Sequence, residues 1–89
     1  QPKSWGLDDL YPNPFNSTTR FSYSLPITDH VNIVLTDVSG RVIRQLVNAE
    51  HLPGRYTGSL SNFDLPSGEY FFMMHTSTAS YVRSAILIK

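Results

Sequence analysis

Cysteine is absent from the chain, which excludes structural disulfides, thiolate metal sites and a cysteine nucleophile. Net charge is absent as well, since seven basic residues balance seven acidic ones. There is thus no basic footprint for nucleic acid and no polybasic patch for a membrane surface, and acidic substrates are not favoured. No run approaches the ~20 apolar residues that cross a bilayer as a helix. No window sustains a 3.6-residue apolar period, and there is no internal repeat or low-complexity tract. The leading Gln1-Pro2-Lys3-Ser4 passes into mixed polar sequence without the regions of a secretory signal peptide. An exported protein needs such a peptide, so the chain is expected to be a module from the end of a longer polypeptide.

What is present suits one small globular domain. A length of 89 residues allows a single modest core, with roughly 60–65% of the unfolded surface buried. Hydrophobic content of 40% against 16% charged argues against disorder. Residues 1–10 read as a tether to an upstream domain, in which Trp5, Leu7 and Leu10 can dock onto the body and Asp8-Asp9 is solvated. Residues 11–89 read as the domain itself. Its opening, Tyr11-Pro12-Asn13-Pro14-Phe15-Asn16, cannot be helical. Pro12 and Pro14 fix their own φ and push Tyr11 and Asn13 into the extended region.

Alternation then dominates. Thr19, Phe21, Tyr23 and Leu25 interleave with Arg20, Ser22 and Ser24, the period of a half-buried strand. Val31, Ile33 and Leu35 form a second such run after the Thr28-Asp29 turn. Asp37-Val38-Ser39-Gly40 is predicted as a hairpin loop, with Asp37 accepting turn N–H bonds and Gly40 in the left-handed position. The return strand, Arg41 to Val47, carries its anchors Ile43 and Leu46 three apart, which predicts a bulge or irregular pairing. Asn48 to Gly54 reads as a polar loop. Arg55 to Leu60 reads as an edge strand carrying Gly58, followed by a crossover at Ser61-Asn62-Phe63-Asp64. After the Leu65-Pro66-Ser67-Gly68 turn, Glu69 to Thr76 is apolar on both faces, as a central strand or a partner-covered surface is. Ser77-Thr78-Ala79-Ser80 is the last turn and Tyr81 to Ile88 the last strand. The pattern predicts an all-β, immunoglobulin-like β-sandwich of about seven short, mainly antiparallel strands. The expected core is Phe21, Tyr23, Ile33, Leu35, Tyr70, Phe72 and Ile86.

Chemistry-bearing constellations are weak. His30, His51 and His75 are far apart, lack metal-ligand spacing and read as surface or turn residues. No G-x-S-x-G elbow accompanies the serines. Asp8-Asp9 is short of a Ca²⁺ site, and turn capping accounts for Asp37 and Asp64. Asn16-Ser17-Thr18 matches the short N-x-[ST] glycosylation pattern, but the turn role of Asn16 suffices. The rings of Trp5, Tyr11, Tyr56 and Tyr81 invite a sugar-stacking platform, against the plainer reading of core and rim packing. No catalytic residue, metal site, cofactor, nucleic-acid partner or small-molecule substrate is expected.

The ordered set of elements resembles the C-terminal sorting domain of the type IX (Por) secretion system of Bacteroidetes-type bacteria, over about Leu7 to Lys89. The opening Tyr11-Pro12-Asn13-Pro14-Phe15-Asn16 is similar to the family's first motif, and Thr19-x-Phe21-x-Tyr23 to the strand after it. Asp37-Val38-Ser39-Gly40-Arg41 with Ile43 and Leu46 resembles its central hairpin. Gly54-x-Tyr56 and Leu65-Pro66-Ser67-Gly68-Glu69-Tyr70-Phe71-Phe72 match later elements, and Val82 to Lys89 the terminal strand. Leu60-Ser61 stands where relatives often carry a Trp-Asp pair, and the terminus has fewer bases than many members. The resemblance implies a non-catalytic sorting signal that directs an attached cargo across the outer membrane. Its implied partners are the upstream cargo, an outer-membrane translocon and a surface peptidase that removes the domain. Its implied course is the periplasm in transit, then the cell surface or medium. Ile86, Leu87, Ile88 and Lys89 are the expected recognition residues, with Ile86 and Ile88 toward the core and Leu87 and Lys89 on the opposite face. The alternative is an accessory or carbohydrate-binding module of a secreted enzyme. A runner-up within the fold is the immunoglobulin-like domain of the flagellar hook-capping protein.

Overall fold

A computed structural model of the protein describes residues 6–61 and 65–88. Its strands are β1 (Gly6–Leu7), β2 (Thr18–Leu25), β3 (Asp29–Thr36), β4 (Val42–His51), β5 (Gly54–Ser61), β6 (Gly68–His75) and β7 (Ser80–Leu87). One sheet has the order β1-β2-β5 and the other β4-β3-β6-β7, with every strand pairing antiparallel. The sheets face each other as an immunoglobulin-like sandwich. Phe21 of β2 tilts onto Phe72 of β6 across the interior, ring centroids 5.3 Å apart.

Period-two alternation decides which side chains meet there. Thr19, Phe21, Tyr23 and Leu25 point inward from β2, and Val31, Ile33 and Leu35 from β3. Tyr70, Phe72 and Met74 point inward from β6, and Ala85 and Leu87 from β7. Strand β6 lies between β3 and β7; its inward residues are buried, while Phe71 and Met73 on the other face are half-buried. The expected bulge is present as register shifts in the β3–β4 pairing, at Ile33/Val34 and Leu35/Thr36. Ile43 and Leu46 pack against the core.

Three expectations are corrected. Ile86 is not a core residue: it is 40% exposed, whereas Leu87 is 1% exposed. Register places Ala85 opposite Tyr70 and Leu87 opposite Gly68, so the odd-numbered residues of β7 share the inward face. Tyr81 to Ile88 carries apolar residues at both parities, so alternation alone did not select one. Second, Asn48–Glu50 is not loop. Strand β4 continues to His51, with Asn32 opposite Asn48 and Asp29 opposite His51, which leaves Leu52-Pro53 as the connection. Third, His51 is therefore the last residue of a strand rather than a loop residue. Of the expected crossover, Ser61 ends β5 and Asn62, Phe63 and Asp64 lie outside the described residues, as do Trp5 and Lys89.

Candidate interaction site at the opening arm and the last strand

The opening residues stitch the two sheets together. Strand β1 pairs with β2 through Gly6–Ser24 and Leu7–Tyr23, and Leu7 and Leu10 dock in the core at 1% and 4% exposure. Tyr11 continues this pairing: its N–H donates to the Arg20 carbonyl at 3.1 Å and its carbonyl accepts the Arg20 N–H at 2.8 Å. The Thr19 hydroxyl donates to the Pro12 carbonyl at 2.7 Å. Past Pro12 the chain leaves the first sheet and reaches the second. Phe15, buried at 3% exposure, donates its N–H to the Ile86 carbonyl and accepts the Ile88 N–H, both at 2.9 Å. This is a parallel bridge to Leu87.

Asn13 completes that junction. Its Nδ2 donates to the Ser84 carbonyl at 2.9 Å, and its Oδ1 accepts the Ile86 N–H at 2.9 Å. The residues on either side are prolines, which have no N–H to offer. The Asn13 carboxamide, one donor group and one acceptor on a short stem, takes the place of a peptide unit on the outer edge of β7. Both X-Pro bonds here, Tyr11-Pro12 and Asn13-Pro14, are cis. Sequence reasoning identified Tyr11-Pro12-Asn13-Pro14 as a stiff extended segment but missed the role of Asn13. An amide side chain between two residues lacking N–H was the available cue.

The terminal strand presents the reverse of the expected faces. Leu87 is in the core, while Ile86 at 40% and Ile88 at 55% exposure point outward. An open cleft of about 560 Å³, lined by Pro12, Pro14, Phe15, Asn16 and Ile88, runs where the arm meets the strand. Two ends of the chain, 73 residues apart at Asn13 and Ile86, thus build one surface. Of the four expected recognition residues, Ile86 and Ile88 lie on it, and Leu87 supports it from beneath.

The other singled-out motifs have structural work. Asp37 Oδ1 accepts the N–H groups of Ser39 at 2.9 Å and Arg41 at 3.1 Å and the Ser39 hydroxyl at 2.6 Å. The Ser39 hydroxyl, above all, holds the Asp37 carboxyl below its ordinary value. Gly40 adopts φ 89°, the left-handed geometry that a side chain opposes. In the Leu65-Pro66-Ser67-Gly68 turn, Leu65 is buried and the Pro66 carbonyl accepts the Tyr70 hydroxyl at 2.6 Å. Tyr56 does the same four residues back to the Leu52 carbonyl, at 2.5 Å. The two G-x-Y sequences therefore repeat one device, a tyrosine pinning the turn that precedes its strand.

His51 bridges the sheets. Its Nδ1 faces the Ala49 carbonyl at 3.0 Å. A carbonyl only accepts, so Nδ1 is the donor there, and in the neutral ring Nε2 accepts the Tyr23 hydroxyl at 2.8 Å. Burial, with Tyr56 adding repulsion, pushes the Tyr23 phenol up. The Tyr56 ring stacks on Tyr23 at 5.4 Å and meets His51 edge-on at 4.6 Å, so it is spent on internal packing. Tyr81 is partly buried against the core, whereas Tyr11 is 78% exposed. Asp8 pairs with Arg55 at 2.8 Å. Asp9 lies 3.2 Å from the Arg83 Nε. Among the described residues no group of three or more histidines and carboxylates is placed to hold a metal ion.

The model of one protein family, described as the secretion system C-terminal sorting domain, matches residues 9–89. The matched span holds both halves of the arm–strand junction, Asn13 and Phe15 as well as Ser84, Ile86 and Ile88. No curated protein and no solved structure matches the chain.

Proposed function

We propose, since this chain belongs to the secretion system C-terminal sorting domain family, that it carries an attached cargo to the outer-membrane translocon and is read there through Ile86 and Ile88. As a C-terminal sorting signal for type IX secretion, the domain marks its polypeptide for export to the cell surface or the medium. The observation that supports a reading at the terminal strand is the junction itself. The arm holds β7 so that Ile86 and Ile88 stand outward beside the cleft, while Leu87 keeps the strand on the core. Lys89, outside the described residues, follows Ile88 in the sequence and belongs to the proposed contact.

The periplasm is the proposed place of folding and transit, and a neutral domain without cysteine folds there with no disulfide to form. A surface peptidase is proposed to release the cargo afterwards. Gly6 and Leu7 form β1 and Leu10 sits in the core, so a cut that spares the sandwich falls ahead of Gly6. The test is a signal-peptide-bearing reporter fused to residues 1–89 and expressed in a type IX-competent bacterium. The reporter should be recovered outside the cell, and retention in the periplasm would overturn the reading.

A further inference from the structure

Strand β7 ends its sheet, so the outward backbone groups along it are those of an edge strand. Over the last residues they are covered. The Ser84 carbonyl and Ile86 N–H go to Asn13, and the Ile86 carbonyl and Ile88 N–H go to Phe15. Over Ser80 to Arg83 no described strand hydrogen-bonds to that side; Asp9 reaches only the Arg83 side chain, at 3.2 Å, and the Val82 carbonyl takes a bond from its neighbour Arg83 at 2.9 Å. The cover is thin. Pro12, Asn13 and Pro14 are all exposed, and two of the four bonds come from a single side-chain amide. Only Phe15 is anchored by burial.

We propose that the outer edge of β7 is an acceptor for an extended polypeptide strand, and that the Asn13–Phe15 arm is a built-in stand-in that this strand displaces. The proposal rests on the sorting reading above and names the partner's chemistry as a receptor segment with free backbone N–H and C=O groups. The arm itself shows the fit, because Phe15 already lies on Leu87 in parallel register. An incoming strand in that register continues past Ser84 toward Ser80, where the arm does not reach. It also meets Val82, Ile86 and Ile88, exposed at 47%, 40% and 55%, as a row of apolar knobs. Backbone pairing plus alternate side-chain contacts is the logic of strand addition. A short, proline-broken cover is how a protein keeps such an edge from pairing indiscriminately until then.

A disulfide lock tests the exchange. Asn16 and Ile88 follow the Phe15–Leu87 bridge and line one cleft. Neighbouring strands sit at a spacing that a disulfide can close. The chain has no other cysteine, so Asn16→Cys with Ile88→Cys forms a single possible bond. A cysteine-free reporter carrying this pair is followed with and without a thiol reductant in the medium, beside the same reporter carrying Ile88→Cys alone, which sets the export level once that contact residue is changed. Retention when oxidised and release on reduction supports displacement of the arm. Equal export of the oxidised and reduced forms overturns it. Should the reduced form itself stay inside, the purified domain decides. Asn13→Ala should speed amide exchange at Ile86 about tenfold, as loss of a net hydrogen bond implies. It should also turn a monomer into a concentration-dependent dimer joined through β7. Unchanged exchange and a persistent monomer overturn the acceptor edge. Failure of the unmodified fusion to leave the cell would sink the sorting reading while leaving this in-vitro result to stand or fall alone.

Discussion

A β-carbon on Gly58 would stand 2.5 Å from Cζ of Phe21 and 3.0 Å from both Cε atoms, distances no packed core accepts. Phe21 is the cross-strand partner of Gly58, and its buried ring packs against Phe72 and Tyr23, so it yields only by disturbing them. Gly58→Ala should therefore cost about 1–3 kcal/mol, read as a lower midpoint in a thermal melt, and should cost less in a Phe21→Leu background. The glycine was visible in the sequence as a weak point of an edge strand; the ring that fills its place was not, because strand register joins residues 37 apart only in space. Asp29 carries a different residue-scale consequence. Its carboxylate accepts the Ser77 hydroxyl at 2.6 Å and the Ser77 N–H at 3.3 Å, tying the start of β3 to the turn after β6. The Ser77 hydroxyl first, then the His30 and Ser77 amides, lower its pKa from the ordinary 3.8. A carboxylate depressed in the fold stabilises it above the unfolded pKa and loses that effect as pH falls through the folded one. The melting difference between the native chain and Asp29→Ala should thus be full at pH 7 and close below the ordinary carboxylate range. A difference that stays constant into acid would show that the ionised form is not what matters.

Among the elements, those whose sequence pattern admits one reading were legible and those that admit two were not. Strand β2 alternates without ambiguity, and its inward set was read residue for residue. The hairpin at Asp37–Gly40 was legible because a turn with positive φ calls for particular residues at particular positions. Strand β7 was not, since Ala85, Ile86, Leu87 and Ile88 offer apolar side chains to either face, and a one-residue slip inverts them all. The tail of β4 was missed for the opposite reason. Asn48, Ala49 and Glu50 are exposed, so that stretch has no inward apolar partner to announce a strand, and backbone pairing with β3 carries it. The junction of arm and strand was invisible because its bonds join Asn13 to a carbonyl 71 residues away. The parity of β7 gives a direct check. Leu87→Ala should cost about 2–5 kcal/mol as a core truncation, while Ile86→Ala should stay within about 0.5 kcal/mol as a surface change. Chemical denaturation of the two variants separates them, and equal losses would mean the strand is seated in the other register.

On the scale of the whole molecule, stability and recognition share one strand, so a deletion cannot tell them apart. Removing Ile86–Lys89 takes away Leu87, which is 1% exposed, the partners of Gly68 and Glu69 on β6, and the seat of Phe15. Such a chain loses export whether the translocon reads the tail or merely requires a folded domain. The structure offers a cleaner separation. Ile86 and Ile88 point outward, and their hydrogen bonds to the arm come from backbone groups, which any residue except proline supplies. Replacing both by serine keeps every one of those hydrogen bonds and leaves the core intact. Ile86→Ser with Ile88→Ser should therefore keep the melting temperature within a few degrees, as paired surface changes do. The apolar knobs beside the cleft are gone, and the exported fraction of a reporter fusion should fall severalfold or more. The comparison chain is Leu87→Ala, which should melt much earlier yet retain the outward residues. If the double serine variant is exported like the native domain while Leu87→Ala is retained, the secretion machinery is sensing the fold and not the face of its last strand.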